Sequence, residues 1–595
     1  MSTADFKTVL VTDSVMTPTD QLTYAVRSGA SSKTYQPFPA VSSSSSTLTF
    51  NVTVPSENIV VDREVFIKTK LYFTVTETTI ASGSFAGGYG SEYALQAFPL
   101  NHLFTTASAT INNANVSSNI QDVLPQLLQM MSQEELAKYD GMTPNLVDFN
   151  CAAYSSALGS TNDVISTTAK TGYTKNFQPR GSYSIKLVSY SRKDTATTPV
   201  VRNDTLESNA SGCIFKLAYE VEITEPIIGL SPFIYGAPQY NNAGMVGINA
   251  MNFVFNIDST CKRLLSCGVA STKVTKIELG RQVDGSPSLA NTTNPFGDVD
   301  MLVSFLSSQP RQMIKSKCIS PYIDTPRFIS TPAISVASGG AITQLPTQNI
   351  QLNMLPDLFI IQVRLPMSSM TIRDAEYGCA IDSISVNLNN SSGLMSSASP
   401  QQLWAVSVKN GSKQSWSQFC GQTNNFVTRT ADNAGLSTQA TTGSLLVLSP
   451  TDLSLPDWLA PGCIGSYNFQ VRIGVKQFTG AAITPEIVVM CVNSGLFQSL
   501  AGSSQIFTGI LTKSMVEETK AMQSVNPVLS VEYNRVLGGG LNGDMCSCSN
   551  GEMPAVKEAM REKMKMAQMY GSAMGHGAIG HGARGAGDKF GGITR

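Results

Sequence analysis

Hydrophobic and polar positions alternate most clearly between residues 61 and 128. Polar side chains occupy one side of an extended chain there, and the other side carries the apolar residues Val65, Ile67, Leu71, Phe73 and Val75. A period of two is typical of a strand with one buried face. A second β-like run follows at residues 105–116, and a helical pattern at residues 123–139 closes the unit. Short strands beside a long connection predict a β-sandwich with an elaborated loop.

The same alternation predicts further strands around this segment. They lie at residues 47–54, 183–188 and 214–223. A proline-marked, aromatic segment follows at residues 225–238. We place a domain boundary there, because clustered prolines interrupt regular strands.

A second set of strands is predicted after this boundary. It comprises residues 252–257, 273–279, 358–365, 384–388, 403–408, 444–448, 467–475 and 486–492. Eight strands separated by Gly, Pro and Asn turns are what one jelly roll needs. Helical pattern is sparse, with one short helix predicted at residues 516–522, so a parallel α/β enzyme is disfavoured. The predicted fold class is all-β, with two tandem eight-stranded jelly rolls, few short helices and a flexible C-terminal tail.

The length of the chain agrees with two domains. Its 595 residues exceed the roughly 250–300 at which one hydrophobic core usually stops growing. We divide the chain into an N-terminal arm at residues 1–45, a first jelly roll at 46–235, a second at 236–536 and a Gly/Met-rich tail at 537–595. The arm is interpreted either as an extended segment with a flexible Ser-rich linker or as simple disorder.

Charge is unusually low in this sequence. Charged residues make up 14% of it, against roughly 25% in an ordinary soluble domain. Such a surface suits extensive burial against identical neighbours, although a secreted β-rich adhesin would look similar. The formal net charge of -1 argues against a strongly electrostatic nucleic-acid binder, so we expect no sequence-specific nucleic-acid binding.

The cysteines indicate a reducing compartment. There are 11 of them, an odd number, and most lie scattered in apolar contexts. We expect no signal peptide, because residues 1–10 lack an apolar core segment, and no membrane span. The Asn-x-Ser/Thr sequons at Asn51, Asn115 and Asn410 are therefore expected to stay unglycosylated.

Histidine is scarce, although most general acid–base and metal sites use it. Only His102, His576 and His581 occur. His102 lies between apolar neighbours, and we interpret it as a packed structural residue. A GxSxG nucleophile motif with a supporting histidine does not occur. We therefore predict neither catalysis nor a cofactor.

Two patterns in the tail partly match binding motifs. Cys546 and Cys548 lie upstream of His576 and His581, at a spacing unlike that of usual zinc sites. Residues 575–580 fit GxGxxG, but a dinucleotide site needs a strand before this motif and a helix after it. We interpret both patterns as parts of a flexible Gly/Ala/His-rich segment and predict no metal ligand.

Six stretches stand in order between residues 61 and 478, namely DREVFIKTKLYFTVT, AFPLNHLF, ATINNANVSSNIQDVLPQLL, PRGSYSIKLV, SVKNGSKQSWSQFCG and GCIGSYNFQVRIGVKQF. Together they resemble the major capsid proteins of virophages and polinton-like viruses. None is a catalytic signature, and their order along the chain carries the resemblance. The tail lies outside it.

This resemblance implies a double jelly roll that forms a homotrimer, a pseudo-hexagonal capsomer of an icosahedral shell. It implies penton and minor capsid proteins as further partners, and it places residues 141–178 among the loops of the capsomer's outer surface. The protein is then a structural component of the virion, assembled inside the host cell. A β-rich carbohydrate-binding or adhesion protein, such as a viral fibre, is the alternative.

The tail contains a candidate cleavage site. Residues 537–541 read Leu-Gly-Gly-Gly-Leu, similar to the sites cut by the adenovirus-type cysteine proteases that relatives of this family encode. Glycines lack side chains, so this stretch can enter a narrow protease cleft. We predict cleavage between Gly540 and Leu541 during maturation. A flexible hinge is the alternative.

The released segment would contain an amphipathic helix. Its apolar positions recur at helical spacing, at Met553, Val556, Met560, Met564 and Ala567. Two interpretations stay open. The helix packs on its own chain, or it docks onto a scaffold, a minor capsid protein or a membrane, because Met-rich faces adapt to several surfaces.

Overall fold

The computed structural model describes residues 32–56, 59–78, 83–84, 88–90, 93–147, 183–193, 199–202, 208–209, 214–233, 244–267, 274–280, 294–307, 317–371, 377–389, 391–430, 433–453, 461–478, 481–500 and 502–509. The tail, the helix predicted at residues 516–522 and most of the loop predicted at residues 141–178 lie outside this described part.

Strands dominate the N-terminal half of the described chain. In chain order they are β1 (Ser32–Pro39), β2 (Ser42–Ser43), β3 (Thr47–Thr53), β4 (Val60–Val61), β5 (Phe66–Thr78), β6 (Gly83–Ser84), β7 (Tyr93–Leu95), β8 (Phe104–Ile111), β9 (Ala114–Ser118), β10 (Lys186–Lys193), β11 (Pro199–Arg202), β12 (Ser208–Asn209), β13 (Ile214–Pro226), β14 (Ala250–Ile257), β15 (Leu265–Cys267), β16 (Val274–Leu279) and β17 (Phe296–Ser307).

The C-terminal half continues in the same way. Its strands are β18 (Lys317–Asp324), β19 (Arg327–Ser330), β20 (Thr343–Pro346), β21 (Ile350–Met354), β22 (Leu358–Arg364), β23 (Ala380–Leu388), β24 (Ser391–Leu394), β25 (Gln422–Thr430), β26 (Asn433–Ala440), β27 (Leu445–Leu448), β28 (Ile464–Lys476), β29 (Glu486–Leu500) and β30 (Ser503–Thr508).

The helices of the described residues are short. They are α1 (Pro99–Leu103), α2 (Ile120–Met130), α3 (Gln133–Ala137), α4 (Pro400–Lys409) and α5 (Trp416–Phe419), with a 3-10 turn at Pro450–Leu453. The prediction of an all-β chain with few short helices is confirmed. The count of eight strands in each jelly roll stays a prediction.

Two large sheets form a first sandwich. One follows the order β1-β17-β5-β13-β10-β11, with β16 beside β5 and β4 beside β17, and the other follows β2-β3-β14-β8-β9. Their inner faces share one core, in which Leu48, Phe50, Phe73 and Val75 are fully buried. The period of two in the sequence places these residues on the inner faces, as predicted for β3 and β5.

A second sandwich is built from the C-terminal strands. One sheet follows β18-β29-β22-β27, with β19 and β30 also beside β29, and the other follows β20-β28-β23-β24, with β21 beside β28. Phe359 on β22 and Phe469 on β28 stack across its core with ring centroids 4.3 Å apart. Both side chains are fully buried. This contact joins the two sheets of the second sandwich.

Strand pairing crosses the boundary predicted near residue 235. β14 pairs with β3 and β8, and both β16 and β17 pair with β5. All of these are strands of the first sandwich, because every strand that pairs with β14, β16 or β17 lies N-terminal to the proline-marked segment. The large sheets change between Ser307 and Lys317, and we propose that the domain boundary lies there.

Several predicted elements differ from the structure. The helix predicted at residues 123–139 is divided into α2 and α3. Residues 403–408, predicted as a strand, lie in α4, because Ser399 and Gln402 form a capping box at the start of the helix. The run predicted at residues 105–116 is a hairpin of β8 and β9, turned at Asn112, which has a positive φ of 53°. Residues 32–43, assigned to the arm, contain β1 and β2, and β1 pairs with β17 along its whole length.

A buried carboxylate anchors α1 next to the proline-marked segment. Glu225 Oε1 accepts hydrogen bonds from the Leu100 amide at 3.0 Å and the Thr143 hydroxyl at 2.9 Å. Its Oε2 accepts from the Asn101 amide at 2.9 Å and from Asn101 Nδ2 at 2.8 Å. Burial raises the pKa of Glu225, and the four hydrogen bonds oppose that rise. Glu225 therefore holds α1 onto β13.

Removing the central ring of the second sandwich should destabilise it strongly. Phe359→Ala is expected to lower the free energy of unfolding by about 3–5 kcal/mol, because it leaves a cavity facing Phe469. Gln470→Ala, one residue beyond Phe469 but on the exposed side of β28, should change it by no more than about 0.5 kcal/mol. Chemical denaturation of both variants gives the comparison. Equal effects would contradict the core assignment.

Candidate assembly surfaces

Helix α2 lies between the two sandwiches. It follows β9 of the first sandwich, and its Val123 packs in one buried cluster with Ile360, Leu445, Val447 and Met490 of the second. These four residues point away from the core of the second sandwich, because their neighbours along each strand are the inward residues. The helix therefore covers the outer face of the β22-β27-β29 sheet.

Four charged side chains form a network beside this apolar contact, and three of them are buried, while the Arg327 side chain is 31% exposed. Asp122 on α2 forms ion pairs with Arg327 on β19 and with Arg364 on β22, and its side chain is 1% exposed. Arg364 Nε also donates to Glu486 Oε1 on β29 at 3.0 Å. Two cations and two anions balance one another, as a buried network requires. Burial, together with the nearby Arg364, lowers the pKa of Arg327.

Further hydrogen bonds join the sandwiches, among them contacts at two opposite ends. Gln414 Nε2 donates to Gln129 Oε1 at 2.9 Å, next to α2. At the opposite end, Asn113 Oδ1 accepts from the Ser504 amide at 2.6 Å, which ties β30 to the turn between β8 and β9. These contacts, with the network, join both sandwiches into one compact unit.

Strands β18, β29 and β30 form an extension that packs on the first sandwich. Tyr322 on β18 and Phe497 on β29 belong to the core of the first sandwich and are 7% and 1% exposed. Position 497 therefore points toward the first sandwich, and positions 496 and 498 point away from it.

The opposite side of this extension is apolar and exposed. Leu496 pairs with Pro321 on one side and with Phe507 on the other, so these residues share one face. We name this face, formed by Ile319, Ile323, Leu496, Leu500 and Phe507, the outer apolar face. Its side chains are 39% to 50% exposed. A contiguous exposed apolar patch is typical of a protein–protein contact.

The candidate residues from the sequence fall into two groups. The first group lies outside the described residues. It comprises Gly540, Leu541, the Cys546/Cys548 and His576/His581 pattern, the GxGxxG segment and the Met-rich helix. His102 lies in α1 and is 5% exposed, and its amide donates to Phe98 O at 3.1 Å. That position agrees with the packed structural role predicted for it.

The sequons at Asn51, Asn115 and Asn410 lie in different settings. Asn51 and Asn115 are exposed on strands of the first sandwich. Asn410 Nδ2 instead donates to Val447 O at 3.0 Å and to Asp452 Oδ2 at 2.6 Å, which ties it to the chain. The amide of Asn410 is therefore engaged in local structure.

The described chain also contains buried thiols and a surface hollow. Burial raises the pKa of Cys379 and of Cys491 to about 12, so both thiols stay protonated near neutral pH. A hollow of about 420 Å³ near α5 contains the ion pair between Lys476 and Asp382 and one side of Trp416. Within the described residues there is no cluster of three metal-binding side chains and no helix able to cross a membrane.

Comparison with known proteins identifies the family. The family model for the first domain of the Sputnik virophage major capsid protein matches residues 4–306, and the model for the major capsid protein V20 C-terminal domain matches residues 325–495. A putative capsid protein V20 from Sputnik virophage is 24% identical over 538 residues, which cover 87% of this chain and 82% of that protein.

Solved structures show the same fold. The 3.5 Å cryo-EM structure of the Sputnik virophage matches with a TM-score of 0.68 at 22% identity, covering 84% of this chain and 92% of that one. The crystal structure of the mavirus major capsid protein matches with a TM-score of 0.59 at 14% identity, covering 81% and 92%.

These matches define a viral capsid protein, a structural component of the virion. The chain belongs to the virophage major capsid protein family. The resemblance found in the sequence is confirmed, and the adhesion alternative is not favoured. The two family models also meet between residues 306 and 325, where the sheets change.

The pattern of residues along the chain contains almost no signal for this charged network. Asp122 stands in a helical pattern, and Arg327, Arg364 and Glu486 lie far away along the chain. Only the paired strands bring them together. A charged residue inside an otherwise apolar strand run, such as Arg364 after LFIIQV, is the one hint that a sequence can offer.

Breaking the network should destabilise the junction of the sandwiches. Asp122→Asn is expected to lower the free energy of unfolding by about 3 kcal/mol, because it leaves Arg364 buried, and Arg327 half-buried, with too little negative charge. Lys409→Ala removes the ion pair between the exposed Lys409 and Asp452, and should cost no more than about 1 kcal/mol. Thermal and chemical unfolding of both variants measures the difference. Similar small costs would show that the network is not essential.

Proposed function

We propose that this chain forms homotrimeric, pseudo-hexagonal capsomers that tile an icosahedral virus shell. The outer apolar face is the observation that carries the proposal. Five large apolar side chains on three adjacent strands remain exposed in one copy, although the opposite face of the same strands is buried. A monomer rarely keeps such a patch in water, so a second copy is the fitting cover.

The wider setting follows from the family. We infer that penton and minor capsid proteins complete the shell, and that the protein is made and assembled inside the host cell. We also infer that it has no catalytic activity. Support for this last inference comes from the sequence, in which histidine is scarce and nucleophile motifs are missing.

The trimer can be tested on the purified protein. Size-exclusion chromatography with light scattering should give the mass of a trimer. The interfaces of that trimer are expected to bury a total area above ~2,000 Å². Leu496→Asp and Phe507→Asp should shift the protein to monomers, because a carboxylate would be buried without a partner. Leu187→Asp, at an exposed apolar position of similar exposure on β10, should keep the trimer.

The result can also go against the proposal. A wild-type chain that stays monomeric at high concentration would contradict the trimer. If both aspartate variants still form trimers, the trimer interface does not lie at the outer apolar face. Variants that melt like the wild type exclude unfolding as the cause of either result.

Maturation by cleavage is a separate proposal. We propose that a cysteine protease cuts between Gly540 and Leu541, which would release residues 541–595 after assembly and make assembly hard to reverse. Intact-mass spectrometry of protein from mature particles should show a species ending at Gly540. Gly540→Val, which puts a branched side chain at the cut, should preserve the full chain of 63.5 kDa. A full-length wild-type protein in mature particles would rule cleavage out.

A further inference from the structure

The five-stranded sheet of the first sandwich has an exposed face without charge. Its strands β2, β3, β8, β9 and β14 contain no Asp, Glu, Lys or Arg. We name its exposed side the uncharged face, formed by Asn51, Thr53, Thr110, Asn115, Asn252 and Asn256. Every one of these side chains is exposed in the single chain.

The other sheet of the same sandwich is different. Its outer side carries ion pairs between Lys68 and Glu222 at 3.0 Å, and between Lys70 and Asp298 at 2.6 Å. Charge is therefore depleted on one side of the sandwich only. Depletion of charged residues is characteristic of the buried centre of an interface and not of a solvated surface.

The second sandwich has a matching face. Its five-stranded sheet exposes mainly amides and hydroxyls, and we name this the amide face, formed by Gln344, Gln351, Ser466, Asn468, Gln470 and Arg472. Arg472 is charged, and a partly exposed ion pair between Lys476 and Asp382 lies near one end of the same sheet. A hollow of about 470 Å³ lies on this face, beside Gln470 and Arg472.

The amide face points away from the first sandwich of its own chain. The six-stranded sheet on the other side of the second sandwich is the one that α2 covers, through Ile360, Val447 and Met490. The five-stranded sheet lies across the core from it. One chain therefore cannot bring its amide face against its own uncharged face.

We propose that the uncharged face of one copy packs against the amide face of a neighbouring copy of this chain. Amides and hydroxyls both donate and accept hydrogen bonds, so two such faces can satisfy each other. A charged partner would lose hydration there without gaining a counter-charge. A contact between two different faces repeats from copy to copy, and it closes into a ring when the rotation between copies allows.

This inference rests on the proposed capsid function and names the surfaces that assembly would use. It differs from the contact at the outer apolar face, which involves other strands. The test adds charges to the centre of each face. Asn252 lies on β14, the middle strand of its sheet, and Gln470 lies on β28, which pairs with three strands.

Asn252→Lys and Gln470→Asp, made separately, should each reduce the yield of assembled particles at least tenfold, which corresponds to about 1.4 kcal/mol. The chain carrying both changes should recover assembly at low salt, because each lysine then faces an aspartate across the contact. Asn252→Gln is the neutral control and should assemble like the wild type. Light scattering and electron microscopy give the yield, and thermal unfolding checks that each variant folds.

A second measurement does not depend on charge. Thr110→Cys and Gln470→Cys in the same chain should allow a short bis-maleimide to join different copies in assembled particles. Either change alone should give far less of this product. Mass spectrometry of the joined peptides separates the added thiols from the natural cysteines.

Clear results would overturn the inference. Single charge variants that assemble like the wild type would show that the faces stay exposed. Single and double variants that all fail, without a cross-link between positions 110 and 470, would mean that each face contacts something else. Protection of the added thiols by lipid vesicles alone would point to a membrane. A wild-type chain that forms neither trimers nor shells would refute the proposed function itself, and this inference with it.

Discussion

The buried network at α2 determines how the molecule is organised. Asp122 comes from the first sandwich, and Arg327, Arg364 and Glu486 come from the second. Such a network tolerates little displacement, because every charge needs its partner at contact distance once water is excluded. Together with the apolar contact of Val123, it sets the position of one sandwich against the other. A protein that must fit many identical neighbours needs this fixed geometry.

The exposed surfaces follow from that junction. One sheet of the second sandwich is covered by α2, which leaves the amide face exposed on the far side. The extension of β18, β29 and β30 covers part of the first sandwich and presents the outer apolar face. Three chemically distinct surfaces therefore remain uncovered in one copy. Assembly can use each of them for a different contact.

The alternation of apolar and polar residues predicted where the strands lie better than it predicted which strands pair with each other. Alternating residues identified β3, β5 and β13, because each of these strands has one face in a core. The same alternation cannot show that β14 and β17 pair backward with the first sandwich, since pairing depends on distant residues. The strand predicted at residues 403–408 was wrong. Trp404, Val406 and Val408 alternate as in a strand, but the capping box at Ser399 and Gln402 starts a helix there. The charges at the junction were likewise invisible, as their contacts are all long-range.

The first sandwich cannot complete its core before strand β29, near the C-terminal end of the described chain, has been made. The first half of β29 pairs with β22 of the second sandwich, and its second half places Phe497 in the core of the first. The first sandwich therefore lacks part of its core until the ribosome has made nearly all of the described chain. An incomplete nascent chain cannot present the finished surfaces to its neighbours. Synthesis thus delays assembly until each subunit is whole.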